Sequence, residues 1–206
     1  MAARVLLASR NTKKLAELRR VVEAAGITGL EVIGLDAVPD YPEEPEAGAT
    51  FEDNALIKAR SGARETGLPC LADDSGLAVD ALNGMPGVLS ARWSGRHGDD
   101  QANNDLLLAQ LSDTPDDRRG AAFVSACALV SPTGETTVVR GEWRGRLLTA
   151  PRGANGFGYD PLFVPDDEAA QGRSSAELSA SEKDALSHRG KALAQLVPAL
   201  RALSLS

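Results

Sequence analysis

The chain is poor in sulfur and has no long apolar run. Its 206 residues include only two cysteines, Cys70 and Cys127, each within an apolar, strand-like stretch. Neither belongs to a C-x-x-C pair, which argues against a cysteine-based metal site, and both are expected as reduced core residues. No apolar segment approaches the roughly 20 residues that a membrane span needs. The opening Met1–Leu7 meets charge too soon for a secretion signal. A cytosolic (cytoplasmic) chain without a membrane partner is the expectation. Surplus positive charge is also lacking: the formal net charge is -7, a poor match for duplex nucleic acid, which rewards broad basic surfaces. A few lysines in a cleft can still focus potential on a small anion. Neither a Walker sequence nor G-x-G-x-x-G occurs, and there are no internal repeats or low-complexity segments.

What is present begins with an apolar content of 43%, enough for a sizeable core in one domain over residues 1–206 with room for two lobes. The chain is organised around Leu71-Ala72-Asp73-Asp74-Ser75-Gly76-Leu77. An apolar run from Leu68 leads into two adjacent carboxylates, a natural place to hold a hard cation. Ser75-Gly76 predicts a turn between strands at Leu68–Asp74 and Leu77–Leu82. Adjacent side chains of a strand point to opposite faces, so one aspartate is expected to be catalytic and the other structural.

Around that stretch the pattern alternates between strand and helix. Arg4–Ala8 reads as a buried strand, and Ser9-Arg10-Asn11-Thr12-Lys13-Lys14 as a polar turn into a helix with Leu15, Leu18, Val22 and Ala25 on one face. A helix start offers backbone N–H groups to an anion. Spacing alone leaves two readings open here: a phosphate-holding turn, or a capped helix with solvated lysines. Leu30–Leu35 is a second short strand, and the Pro- and Glu-rich Asp36–Ala49 a loop. Thr50 with Asp53 resembles an N-cap box, and the helix to about Thr66 sets Asn54 and Lys58 on one face. Asp99 and Asp100 open another helix, and Thr114–Gly120 is a polar loop. Ala121–Ser131, Glu135–Arg140 and Glu142–Leu148 read as a three-stranded meander. Gly153–Pro161 is a glycine-aromatic loop: a flexible stacking surface, or a tight turn with its aromatics in the core. The sheet resumes at Leu162–Val164. Ser174–Asp184 is a short polar helical piece, and Ser187-His188-Arg189 opens a last helix that Pro198 should kink.

Five separated pieces now stand in order: Ser9-x-Asn11-x-x-Lys14-x-x-Glu17, Thr50-Phe51-x-x-Asn54-Ala55-x-x-Lys58-Ala59, Asp73-Asp74-Ser75-Gly76-Leu77, Gly156-Phe157-Gly158-Tyr159-Asp160-Pro161 and Ser187-His188-Arg189. Each is weak alone. Taken together, over residues 4 to about 203, the chain resembles the non-canonical purine nucleoside triphosphate pyrophosphatases, the inosine triphosphatase family.

That resemblance implies an α/β fold: an elongated, twisted mixed sheet flanked by helices, with two lobes and a central cleft. It implies hydrolysis of dITP, ITP and XTP to the monophosphate and pyrophosphate, with Mg²⁺ as cofactor and a homodimer as the assembly. By the family pattern Asp74 and Glu46 bind the metal, and Asp74 is also the general base for the attacking water. Asn54 and Lys58 complete the catalytic set. Ser9, Arg10, Asn11, Thr12, Lys13 and Lys14 hold the triphosphate, with Ser75 beside Asp74. Phe157 stacks on the purine, and Gly158, Tyr159, Asp160, Lys183, His188 and Arg189 line its polar edge. A 6-oxo purine presents an acceptor where adenine presents an amine, and an unpaired buried polar group costs roughly 1–3 kcal/mol, so donors at that edge would select against adenine. Two rival readings are a metal-dependent nucleotidyl or phosphoryl transferase and a nucleotide sensor without catalysis.

Overall fold

The computed structural model describes residues 2–167 and 170–205, apart from the side chain of Asp184. Six strands form one mixed sheet in the order β2-β1-β3-β4-β5-β6: β1 Ala3–Leu7, β2 Leu30–Ile33, β3 Cys70–Val79, β4 Gly120–Val130, β5 Thr136–Leu147 and β6 Phe163–Pro165. β1 pairs in parallel with β2 and β3, whereas β5 and β6 are antiparallel. The helices are α1 Thr12–Ala24, α2 Phe51–Thr66, α3 Asp100–Gln110, α4 Ala180–Leu186 and α5 His188–Leu203. The α/β class expected from the sequence is thus observed. None of the described helices is long and apolar enough to cross a membrane.

The chain divides into two compact units. The first comprises Met1–Asp74, Ser125–Gly141 and Arg189–Ser206, the second Ser75–Val124 and Glu142–His188. In the first, the apolar faces of α1 (Leu18, Val22) and α5 (Leu193, Leu196, Leu200) close over Val5, Leu7, Val32, Leu71, Cys127 and Leu129. Strand alternation turns Cys70 to the other face, where it meets Gly62 of α2. Both thiols are buried and unpaired with each other, and burial pushes each up to about 12, so both remain protonated. In the second unit, Leu107 and Leu111 pack with Leu77, Val79, Phe123, Trp143 and Leu147. The capping box at Thr50 and Asp53 is present. α5 runs through Pro198 to Leu203.

Three sequence expectations need correction. Ser75-Gly76 is not a turn: β3 continues through it for ten residues. Gly76 is there for close approach, since a Cβ would press on the Ser90 hydroxyl and come within 2.6 Å of the Gly87 carbonyl. That hydroxyl accepts from the Leu77 N–H at 2.9 Å and donates to the Gly87 carbonyl at 2.6 Å. Gly76→Ala is therefore expected to cost about 2 kcal/mol of overpacking, read as a lower urea midpoint at unchanged slope. Next, Gly141 does not divide the meander, because Thr136–Leu147 is one strand whose second half alternates buried Gly141, Trp143, Gly145 and Leu147 with exposed Glu142, Arg144 and Arg146. Finally, the polar Thr114–Gly120 loop hides a buried cation. Arg119 donates to the carbonyls of Leu111, Thr114, Leu147 and Leu148 at 2.8–3.3 Å and so ties the loop down.

Candidate active site

In the first unit the two aspartates of β3 part company as alternation requires. Asp74 turns toward α2: Asn54 Nδ2 donates to its Oδ2 at 2.9 Å, and Lys58 Nζ lies 3.9 Å from its Oδ1. The same Nζ stands 3.2 Å from Glu46 Oε1, so one lysine serves two carboxylates. Asn54 is fully buried, and its Oδ1 accepts from the Gly48 N–H at 2.8 Å. The i, i+4 spacing of Asn54 and Lys58 thus fixes one helix face to Asp74 and to the loop carrying Glu46. Burial raises the Asp74 carboxyl above the ordinary range, aided by Glu46 and Asp73 and opposed by Lys58 and Asn54.

Asp73 faces the other way and is buried. Its Oδ2 accepts from Lys14 Nζ at 2.7 Å and from Arg189 Nη2 and Nε at 3.0 and 3.2 Å. Glu17 Oε2 lies 3.5 Å from Arg189 Nη1. Burial alone would push the Asp73 carboxyl up, but Lys14 and Arg189 outweigh it and hold it well below the usual carboxylate range. Burial draws Lys14 below an ordinary lysine, with the Arg189 charge acting the same way and Asp73 opposing both.

The turn before α1 uses its neutral side chains on itself. Asn11 caps the helix, accepting from the N–H of Lys13 at 2.9 Å and of Lys14 at 3.4 Å, and Ser9 Oγ accepts from the Asn11 N–H. Arg10 is exposed and pairs with Glu43 at 2.6 Å. Ser9, Arg10 and Thr12 line a cavity of about 350 Å³ together with Asp36, Tyr41 and Glu43.

In the second unit the glycine-aromatic loop resolves into both of its readings at once. Phe157 is 53% exposed, whereas Tyr159 is buried and donates its hydroxyl to the Ser90 carbonyl at 2.8 Å. Asp160 is the loop's keystone: its Oδ2 accepts from the Phe157 N–H at 2.8 Å and from Lys183, and its Oδ1 accepts from Ser175 at 2.7 Å. Lys183 Nζ also lies 5.2 Å from the centre of the Phe157 ring. Gly156 has φ +80°, and a Cβ there would strike Asp160, so the position demands glycine. Gly158 is held by α3, its N–H donating to Asp100 at 2.7 Å and its carbonyl accepting from Asn104 at 2.9 Å. The His188 ring stacks on Phe123, centroids 5.2 Å apart. Ser75 lies on β3 next to Asp74 and is partly exposed.

The structure thus places Glu46, Asn54, Lys58 and Asp74, expected as one set from the family resemblance, within reach of one another. Sequence reasoning did not find the Asp73–Glu17 pair behind Lys14 and Arg189, although Glu17 lies three residues after Lys14, nor Asp100 and Asn104, whose i, i+4 spacing was the available signal.

The Ham1 family model matches residues 5–199. A dITP/XTP pyrophosphatase of Nocardia farcinica is 68% identical over 202 residues, 98% of this chain and 97% of the relative. A crystal structure of a nucleoside-triphosphatase / dITP/XTP pyrophosphatase from Mycobacterium abscessus is 67% identical, covers 96% of this chain and 99% of its own, and superposes with a TM-score of 0.81. The Staphylococcus aureus Ham1 protein is 36% identical over 97% of this chain and 98% of its own, with a TM-score of 0.85. The resemblance drawn from the five motifs and these likenesses agree, and the chain belongs to the Ham1 family.

Proposed function

We propose that the chain hydrolyses non-canonical purine nucleoside triphosphates, dITP, ITP and XTP, to the monophosphate and pyrophosphate, and so cleanses the nucleotide pool. The observation that carries this reading is the Glu46–Lys58–Asp74 cluster backed by Asn54: two hard carboxylates, one from the loop before α2 and one from β3, gathered at the Asn54–Lys58 face of α2. Relatives named dITP/XTP pyrophosphatase at 67–68% identity support it.

The donor set suits Mg²⁺. The ion usually takes one or two protein carboxylates and completes its shell with substrate oxygens and water. Among the described residues no group of three or more His, Cys, Asp or Glu side chains converges to cage a metal, and Glu46 with Asp74 would hold it. When bound, Mg²⁺ neutralises triphosphate charge and makes water more acidic.

The side chains do the rest. Asp74 takes the proton of the attacking water, and its raised carboxyl is a stronger base than an ordinary aspartate. Asn54 fixes the Asp74 plane through Oδ2, leaving the direction of attack defined. Lys58 offers its charge to the departing pyrophosphate. The first turn of α1, with Lys13 and Lys14, holds the triphosphate. In the second unit Phe157 stacks on the purine. Lys183 and His188, the Phe157–Asp160 backbone, and Arg189 at the start of α5 read its polar edge. Tyr159 serves that edge through its backbone, its side chain being committed to the core. A homodimer in the cytoplasm belongs to the same proposal, as does the absence of nucleic acid and membrane partners.

Initial rates with ITP, XTP and dITP against ATP and GTP test this reading. The 6-oxo substrates lacking an amine are expected to lead ATP by a hundredfold or more in kcat/KM, on the order of what two mispaired buried donors cost. Equal rates for ITP and ATP would remove the base reading.

A further inference from the structure

Asp73 and Glu17 belong to the motifs that define the chain, yet neither has a part in the reaction as read above. Their partners come from the two ends of the sequence: Lys14 from α1 and Arg189 from α5. Asp73 Oδ2 accepts from Lys14 Nζ at 2.7 Å and from Arg189 Nη2 and Nε at 3.0 and 3.2 Å, and Glu17 stands 3.5 Å from Arg189 Nη1. The side chains of Lys14 and Arg189 are only 19% and 13% exposed, and that of Asp73 3%. Two cations and two carboxylates make a balanced set. Such a buried set rarely stabilises a fold better than apolar residues of equal volume, so stability alone does not account for it.

We propose that Asp73, seconded by Glu17, is the positioning residue that sets where Lys14 and Arg189 present their charges and thereby couples triphosphate binding to base recognition. This rests on the reading that Lys14 meets phosphate and Arg189 the base. Because both cations share one oxygen, a triphosphate that engages Lys14 leaves Asp73 Oδ2 more fully to Arg189, whose fork is then held by Asp73 on one side and Glu17 on the other. The anchor is β3 itself: the residue after Asp73 is Asp74, turned to the opposite face by strand alternation. The groups for phosphate, base and water are thus referred to two consecutive positions of one strand.

Steady-state kinetics of Asp73→Asn with ITP and ATP tests this, alongside Lys14→Ala and Arg189→Ala. The asparagine keeps the shape and removes the charge. Asp73→Asn is expected to lower the ITP-over-ATP preference by about tenfold, with kcat for ITP changed far less, since the charge-assisted hydrogen bonds that hold the Arg189 fork are lost, while KM for both triphosphates falls or holds because Lys14 no longer shares its charge with a carboxylate. Asp73→Glu should restore part of the preference. A variant in which kcat falls equally for both triphosphates, with the preference intact, would show a purely structural role and overturn the proposal. If Lys14→Ala leaves KM unchanged and Arg189→Ala leaves the preference unchanged, the underlying reading of those two cations fails, a pattern distinct from the first. Should Asp73→Asn not fold, Glu17→Gln reads the coupling from the Arg189 side. A lowered preference at unchanged KM supports the proposal, and an unchanged preference overturns it.

Discussion

Asp74→Asn is expected to lower ITP turnover on the order of a thousandfold or more, the loss that follows removal of a general base, while the fold stays intact. The geometry makes this substitution clean. An asparagine oxygen can still accept from Asn54 Nδ2, now 2.9 Å from Asp74 Oδ2. Lys58 retains Glu46 at 3.2 Å. Stability is expected to move the opposite way from activity. The Asp74 carboxyl is raised by burial, so its protonated form favours folding below the ordinary carboxylate pKa, and that contribution is lost as pH rises through the folded value. At neutral pH the ionised side chain therefore opposes folding, and the neutral asparagine does not. Thermal unfolding at pH 7 in the presence of a chelator should give a Tm for the variant at or above that of the parent. Retained turnover would take the base role from Asp74, and a large fall in Tm would make its role structural.

Lys58→Met is expected to cut kcat by about a hundredfold to a thousandfold, the range for removing one preorganised charge at a phosphoryl centre, without weakening activation by Mg²⁺. The lysine stands 3.2 Å from Glu46 Oε1 and 3.9 Å from Asp74 Oδ1, so it occupies the carboxylates that a divalent cation would need. Its removal takes one positive charge from beside two acids, which then attract a divalent cation more strongly, not less. Methionine preserves the apolar length of the side chain. The magnesium concentration giving half-maximal rate should fall or hold while kcat collapses. A raised magnesium requirement with kcat preserved would instead make Lys58 a support for the metal ligands.

The sequence carried some of this directly. Alternation along β3 required Asp73 and Asp74 to face apart, and they do. The i, i+4 spacing on α2 required Asn54 and Lys58 to share a face, and both reach Asp74. Periodicity also located the cores, from Leu18 and Val22 to Leu193 and Leu196. What stayed hidden depends on partners distant in sequence. Gly76 signalled a turn because glycine usually does, but its neighbour is Ser90, fourteen residues on, and the need is for space rather than for an unusual φ. Gly141 looked like a break and instead lies within a continuous strand. Arg119 looked solvated because local polarity cannot show that four carbonyls converge on it. The Pro-rich loop gave no sign of which glutamate would meet Lys58, and only the family resemblance singled out Glu46. That Asp73 would face away from Asp74 was legible. Its partners were not, since they are side chains 59 residues before and 116 after it.

The position of bond cleavage tests the account most directly, because it depends on metal carboxylates, base and lysine acting at one phosphoanhydride. Incubation of the full chain with ITP and Mg²⁺ alone, with phosphorus NMR of the products, is expected to show IMP and pyrophosphate in equal amounts with no added acceptor. IDP with orthophosphate, or intact ITP until an acceptor is supplied, would contradict it.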